Sequence, residues 1–163
     1  MDHFQFHNMD EELVRKGKWL HIFEDIQQFS AGGVLDSFVA EYVMEWEREW
    51  TEGTSRGCWI DASGLRAVAD LWRPSEDIQD AWIAVEQMAK RWRCDLRLSC
   101  ELLAPHKNGT EKQWTAEFYC LGEVTGDTAP VAICRAAVKA IGVMRKSSND
   151  ATTDVSNPPP WIR

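Results

Sequence analysis

A chain of 163 residues with 18 Lys+Arg against 26 Asp+Glu carries a formal charge of −8, and it is long enough for one domain with a core that needs no metal or disulfide staple. Its 44% hydrophobic and 27% charged content excludes disorder along most of the length, and no apolar run approaches the roughly 20 residues of a membrane helix. Residues 1–52 hold twelve acidic and four basic side chains, and residues 53–144 twelve and eleven; this excludes a generic duplex-binding surface, because such affinity comes from cationic contacts to phosphates.

The N-terminus MDHFQFHNMDEEL lacks the basic start and apolar middle of a secretion signal, so the expectation is a soluble cytoplasmic protein. Five cysteines form an odd set with no Cys-x-x-Cys pair. They suggest reduced, mostly buried thiols rather than a disulfide framework or a zinc ribbon. His3 and His7 have helical spacing but no acidic or Cys ligand in register, and His21 and His106 stand alone, so neither a metal nor a cofactor is expected.

Residues 1–32 contain Leu13, Val14, Trp19, Leu20, Ile22, Phe23, Ile26 and Phe29, too many apolar groups for a free tail, and read as one or two short docked helices. From 34 to 50, Leu35, Phe38, Val39, Tyr42, Val43, Trp46 and Trp50 recur at helical steps and predict one amphipathic helix. Cys58–Ile60 and Leu65–Trp72 flank the turn signal Asp61-Ala62-Ser63-Gly64 and predict a hairpin. Ser75 is the expected N-cap of a helix whose apolar face is Ile78, Ala81, Trp82, Val85, Met88 and Trp92.

Strict alternation over Arg93–Leu102 puts Cys94, Leu96, Leu98, Cys100 and Leu102 on one side, as a half-buried strand requires. Its partner runs over Gln113–Leu121, with Trp114, Ala116, Phe118 and Cys120 inward. Asp127 or Thr128 caps a last helix whose buried face is Ile133, Cys134, Ala137 and Ile141 and which Gly142 ends. Beyond it, residues 145–163 read as a disordered polar tail. The expected class is α+β: an antiparallel sheet of about four strands covered by three main helices, within a domain spanning 33–144.

The segments VAEYVMEWEREW, ADLWRPSEDIQDAWIAVEQM and DTAPVAICRAAVKAIG, in this order, resemble the motifs of the phage ABA sandwich domain family over about residues 38–143. That fold is similar to phage anti-Thoeris sponge proteins. The resemblance implies a phage counter-defence protein of the host cytoplasm, an oligomer that sequesters a small cyclic nucleotide or ADP-ribose-type immune signal without cleaving it.

Residue chemistry supplies candidates for such a ligand. Arg135 and Lys139 stand i, i+4 on the last helix, where a planar fork and a point charge suit a pyrophosphate. Trp72 and Arg73 flank a strand-to-helix junction, and Trp59 and Trp114 lie on strands where an indole can stack on a base. A solvated helix face and a packed core explain the same residues structurally. Glu41, Glu45 and Glu49 form an i, i+4, i+8 row with rungs roughly 6 Å apart, close to the spacing of DNA phosphates. This supports the alternative of an acidic protein-binding inhibitor, of DNA-mimic or anti-CRISPR-like type, acting on a host defence complex. No Gly-rich phosphate loop, G-x-S-x-G or H-E-x-x-H occurs, so an enzyme is not expected.

Overall fold

The structure, a computed structural model, describes residues 25–50, 57–103, 112–119 and 121–151. Expectations for residues 1–24 and for the tail beyond 151 lie outside these. The described part opens with a 3-10 turn, Ile26–Gln28, whose Ile26 side chain is buried. Helix α1, Gly33–Phe38, then passes without a break into a π-turn, Val39–Val43.

The helix expected over 34–50 therefore ends near Val43. The Met44 N–H reaches back to the Val39 carbonyl at 3.0 Å and the Trp46 N–H to Ala40 at 2.9 Å. Glu45 takes a left-handed conformation, φ 56°, that turns the chain away. Strand β1, Glu47–Trp50, begins two residues later. In Glu-Trp-Glu-Arg-Glu-Trp, 45–50, acidic residues alternate with Trp and Arg, a period of two that suits a strand. The apolar residues of the same segment also fit a helical period, and strand pairing decides between them.

The hairpin signal is correct: β2, Gly57–Ile60, pairs antiparallel with β3, Arg66–Val68. The Asp61 carboxylate closes the turn by accepting from the N–H groups of Ser63 and Leu65 and from the Ser63 hydroxyl. β1 joins the other edge of β2, giving a first sheet of order β1-β2-β3. A 3-10 turn, Ala69–Leu71, leads to helix α2, Ile78–Trp92. Its N-cap is Asp77, whose carboxylate accepts from the Gln79 N–H at 2.8 Å, and not Ser75.

The second sheet is built from β4, Leu96–Leu102, β5, Lys112–Phe118, and β6, Val124–Gly126, in that order. In the β4–β5 register Leu96 faces Phe118, Leu98 faces Ala116 and Cys100 faces Trp114, as the alternation requires. The fold class is α+β, and among the described residues the strands divide between two three-stranded antiparallel sheets rather than gathering in one of about four. β6, only three residues long, carries too little pattern to read from sequence.

Helix α3, Ala129–Ala151, runs past Gly142. Thr128 caps it, its hydroxyl accepting from the Val131 N–H at 3.4 Å. Val131, Ala132, Ile133, Cys134, Ala136, Ala137, Val138, Ala140 and Ile141 are all buried. A helix this broadly apolar must be enclosed, and β5, β6, α1, α2, the π-turn and the first 3-10 turn all pack on it.

Gly126 shows how close that packing is. A Cβ there would lie 2.7 Å from the Ala132 nitrogen and 3.1 Å from the Thr128 carbonyl oxygen, both backbone atoms that cannot step aside. Gly126→Ala is expected to lower stability by about 2 kcal/mol, whereas Gly33→Ala, with nothing within 4 Å, leaves it unchanged or slightly raised. Urea unfolding of both variants checks the contrast.

Candidate functional site

Arg135 and Lys139 face strand β6. The Arg135 guanidinium donates from Nε and Nη2 to the Phe29 carbonyl, at 2.9 and 2.7 Å, and from Nη1 to the Thr125 carbonyl at 2.7 Å. The Lys139 ammonium donates to the Glu123 carbonyl at 3.2 Å. Four residues of helix advance roughly 6 Å and two residues of strand roughly 6.6 Å, so the i, i+4 cations meet the i, i+2 carbonyls almost in step.

β6 is an edge strand, and these bonds satisfy carbonyls that no other strand among the described residues reaches. The Gln27 amide completes the edge, with its nitrogen donating to the Thr125 carbonyl at 3.2 Å and its oxygen accepting from the Thr125 N–H at 2.8 Å. Burial lowers the Arg135 pKa, and Asp127 partly offsets this. The three bonds to carbonyls hold the half-buried charge in place.

The aromatic candidates divide among different parts of the fold. Trp72 is 5% exposed, packed against Trp46 with ring centroids 4.6 Å apart, and its Nε1 has no hydrogen-bond partner among the described residues. Arg73 is exposed; its side chain lies 3.8 Å from Glu76, and its N–H donates to the Asp80 carboxylate at 2.9 Å. The start of α2 thus meets the carboxylates of Asp77 and Asp80, which oppose an anion there. Trp59 is buried in the first sheet with the Arg48 guanidinium 5.3 Å from its ring centroid. Trp114 is half-buried against the core on the second sheet. Arg135, Lys139, Arg73, Trp72, Trp59 and Trp114 do not form one constellation.

The acidic row does not survive as a row. Glu41 lies on the π-turn, Glu45 at the left-handed turn and Glu49 on β1, so the spacing of a single helix no longer relates them. Glu45 pairs with Arg91 at 3.1 Å.

A buried polar node that the sequence did not announce sits under the Trp-Arg-Pro-Ser motif. The Asp36 carboxylate accepts from the Ser75 N–H at 2.8 Å, and the Ser75 hydroxyl accepts from the Gly32 N–H at 2.8 Å. Asp36 and Ser75 are both buried. The node latches the 72–77 loop onto α1, which is why Ser75 is unavailable to cap α2. Burial is the main cause that raises the Asp36 pKa, with Glu76 and Asp80 adding to it and the Ser75 bonds opposing it. Burial pushes the Cys134 thiol well up, so it stays protonated and unreactive. Among the described residues no group of three or more His, Cys, Asp or Glu is placed to hold a metal ion, and no helix is long and apolar enough to cross a membrane.

The second sheet presents a different kind of surface. Along one face of β4–β5, Phe118 and Ala116 are buried, Leu96, Leu98 and Trp114 are half-buried, Cys100 is exposed, and Leu102, 68% exposed, stands opposite the exposed Lys112. Ser99, Glu101, Gln113 and Thr115 occupy the opposite face, where Arg97 lies 4.0 Å from Glu117. The apolar side of this hairpin therefore runs out of the core into solvent. Its positions are legible from the alternation; its exposure depends on where the rest of the fold stops.

Two variants test this geometry. Arg135→Lys keeps the charge but loses the fork to two carbonyls, and urea unfolding should show a loss of about 2 kcal/mol, typical of bonds to a charged group. For Asp36, the raised folded pKa means that protonation favours the fold. The associated stability is complete below the unfolded value of about 4 and is lost as pH rises through the folded one. Asp36→Asn keeps an acceptor for Ser75 without the charge. Relative to the natural protein its stability should improve between about pH 4 and pH 7, as unfolding midpoints at both will read.

The Phage ABA sandwich domain model matches residues 37–138, from the end of α1 to the middle of α3, and so takes in the π-turn, both sheets, α2 and the Arg135 contacts with β6. No curated protein and no solved structure matches the chain. With helices packed against two small antiparallel sheets among the described residues, and with the matched region covering more than half of its length, the chain belongs to the phage ABA sandwich domain family.

Proposed function

We propose that the protein is a phage counter-defence factor that binds a host defence protein through the apolar face of the β4–β5 hairpin and is not an enzyme. The observation that carries this reading is that the face which buries Phe118 and half-buries Leu98 continues outward through the exposed Cys100 and Leu102, the last opposite Lys112. Exposed apolar side chains rimmed by polar groups, here Lys112, mark a protein-interaction site, and the opposite face of the same hairpin is polar. Membership of a phage family makes a host protein the natural partner, inside the infected cell.

Sequestration of a small cyclic nucleotide or ADP-ribose-type signal has less support. The Arg135 donors go to Phe29 and Thr125, Lys139 reaches Glu123, and Trp72 is covered, so the groups nominated to clamp phosphates and a base already have structural partners.

Plaquing of a defence-sensitive phage on hosts that each carry one defence system, with the protein supplied in trans, reads the activity. Leu102→Glu should abolish the rescue while leaving the unfolding midpoint in place, since an exposed substitution of this kind shifts stability by less than about 0.5 kcal/mol. Rescue that survives the substitution discards the hairpin as the docking face. A thermal shift with cyclic ADP-ribose isomers or cyclic dinucleotides at excess would favour the sponge reading instead.

A further inference from the structure

Helix α2 carries more apolar surface than the fold covers. Its inner seam of Ala81, Ala84 and Met88 is fully buried. A second seam of Ile78, Trp82, Val85 and Ala89 lies beside it at four-, three- and four-residue steps, the spacing that lets two helices pack along their length. Ile78 is 41% and Trp82 46% exposed, Ala89 is exposed and Val85 half-buried. The sequence places Ile78 and Trp82 on the apolar face of this helix, and the single chain leaves both open.

We infer that the Ile78–Trp82–Val85–Ala89 seam pairs antiparallel with the same seam of a second copy, making α2 the two-fold interface of a homodimer. Charge decides the orientation. Glu76, Asp77 and Asp80 stand at the start of α2 and Lys90, Arg91 and Arg93 at its end. Parallel stacking sets each cluster against its own copy. Antiparallel stacking sets acids against bases and opposes the helix dipoles.

A two-fold axis passing between Ile83 and Ala84 brings Ile78 opposite the partner's Ala89 and Trp82 opposite the partner's Val85, large against small in each case. Asp77 then faces the partner's Lys90 and Glu76 the partner's Arg91. The existing ties of these bases do not withhold them: Lys90 to Glu86 at 3.3 Å and Arg91 to Glu45 at 3.1 Å are exposed pairs of little worth. A half-exposed Trp at the middle of an isologous interface is the side chain type that contributes most to association. The inference rests on α2 alone and does not depend on the hairpin reading.

Sedimentation velocity on the full chain tests it. At roughly 100 µM, where an interface of micromolar strength is filled, the natural protein should sediment as twice 18.7 kDa. Trp82→Glu should raise the dissociation constant roughly 30-fold or more. Ala89→Arg, an exposed change that suits a helix, should do the same and covers the case in which Trp82→Glu unfolds. Ile83→Glu, equally exposed at 45% but roughly a third of a turn round the helix from the seam, should stay dimeric. A monomer at that concentration overturns the inference. So does a mass other than the dimer's, or a dimer indifferent to Ala89→Arg.

Discussion

Much of this fold is arranged around one constraint, that the length of α3 from Val131 to Ile141 is apolar except where Arg135 and Lys139 stand and has to be enclosed. Among the described residues the enclosing is done by β5, β6, α1, α2, the π-turn and the first 3-10 turn. The two cations that interrupt this apolar length lie on one side and meet the Thr125 carbonyl of the edge strand β6 and the Glu123 carbonyl just before it. Arg135 also takes the Phe29 carbonyl, so a single guanidinium fastens the start of the described chain, the edge of the second sheet and the central helix together. Without those bonds the Phe29 and Thr125 carbonyls and a half-buried guanidinium would lose their partners, at a cost of about 2 kcal/mol.

The same constraint separates structural from functional chemistry. Cations inside the fold close a sheet edge, the Asp36–Ser75 node fixes the loop that launches α2, and Cys134 is sealed as a thiol. The surfaces proposed above for a host protein and for a second copy lie where the enclosure stops: the far end of the β4–β5 hairpin, where Leu102 is 68% exposed, and the outer seam of α2, where Trp82 is 46% exposed.

Much of this is legible in the sequence, and the exceptions have physical reasons. Alternation assigns the β4–β5 faces residue by residue, the Asp61-Ala62-Ser63-Gly64 turn marks its hairpin, and the motifs point to the right family. The helical reading of 34–50 fails beyond Val43 because Trp46 and Trp50 satisfy a helical and an alternating period at once, and pairing with β2 resolves the two. Gly142 does not end α3, since packing on both sides of the helix outweighs a glycine's cost of roughly 1 kcal/mol. Arg135 and Lys139 do act as a pair, as their spacing suggests. No local pattern distinguishes a clamp for phosphate from a clamp for carbonyls, and Phe29, 106 residues earlier in the chain, gives no local sign of its role. Nor does periodicity report how wide a helix face the fold will cover, which is why Ile78 and Trp82 read as core and stand in solvent.

Native-state hydrogen exchange resolved by residue tests the central claim most directly. If α3 is the enclosed axis of the fold, amides from Val131 to Ile141 exchange last and only through global unfolding, with a denaturant dependence matching that of the whole protein. If those amides exchange through local openings, as fast as the amides of β1, then α3 is not the element around which the rest of the fold is built.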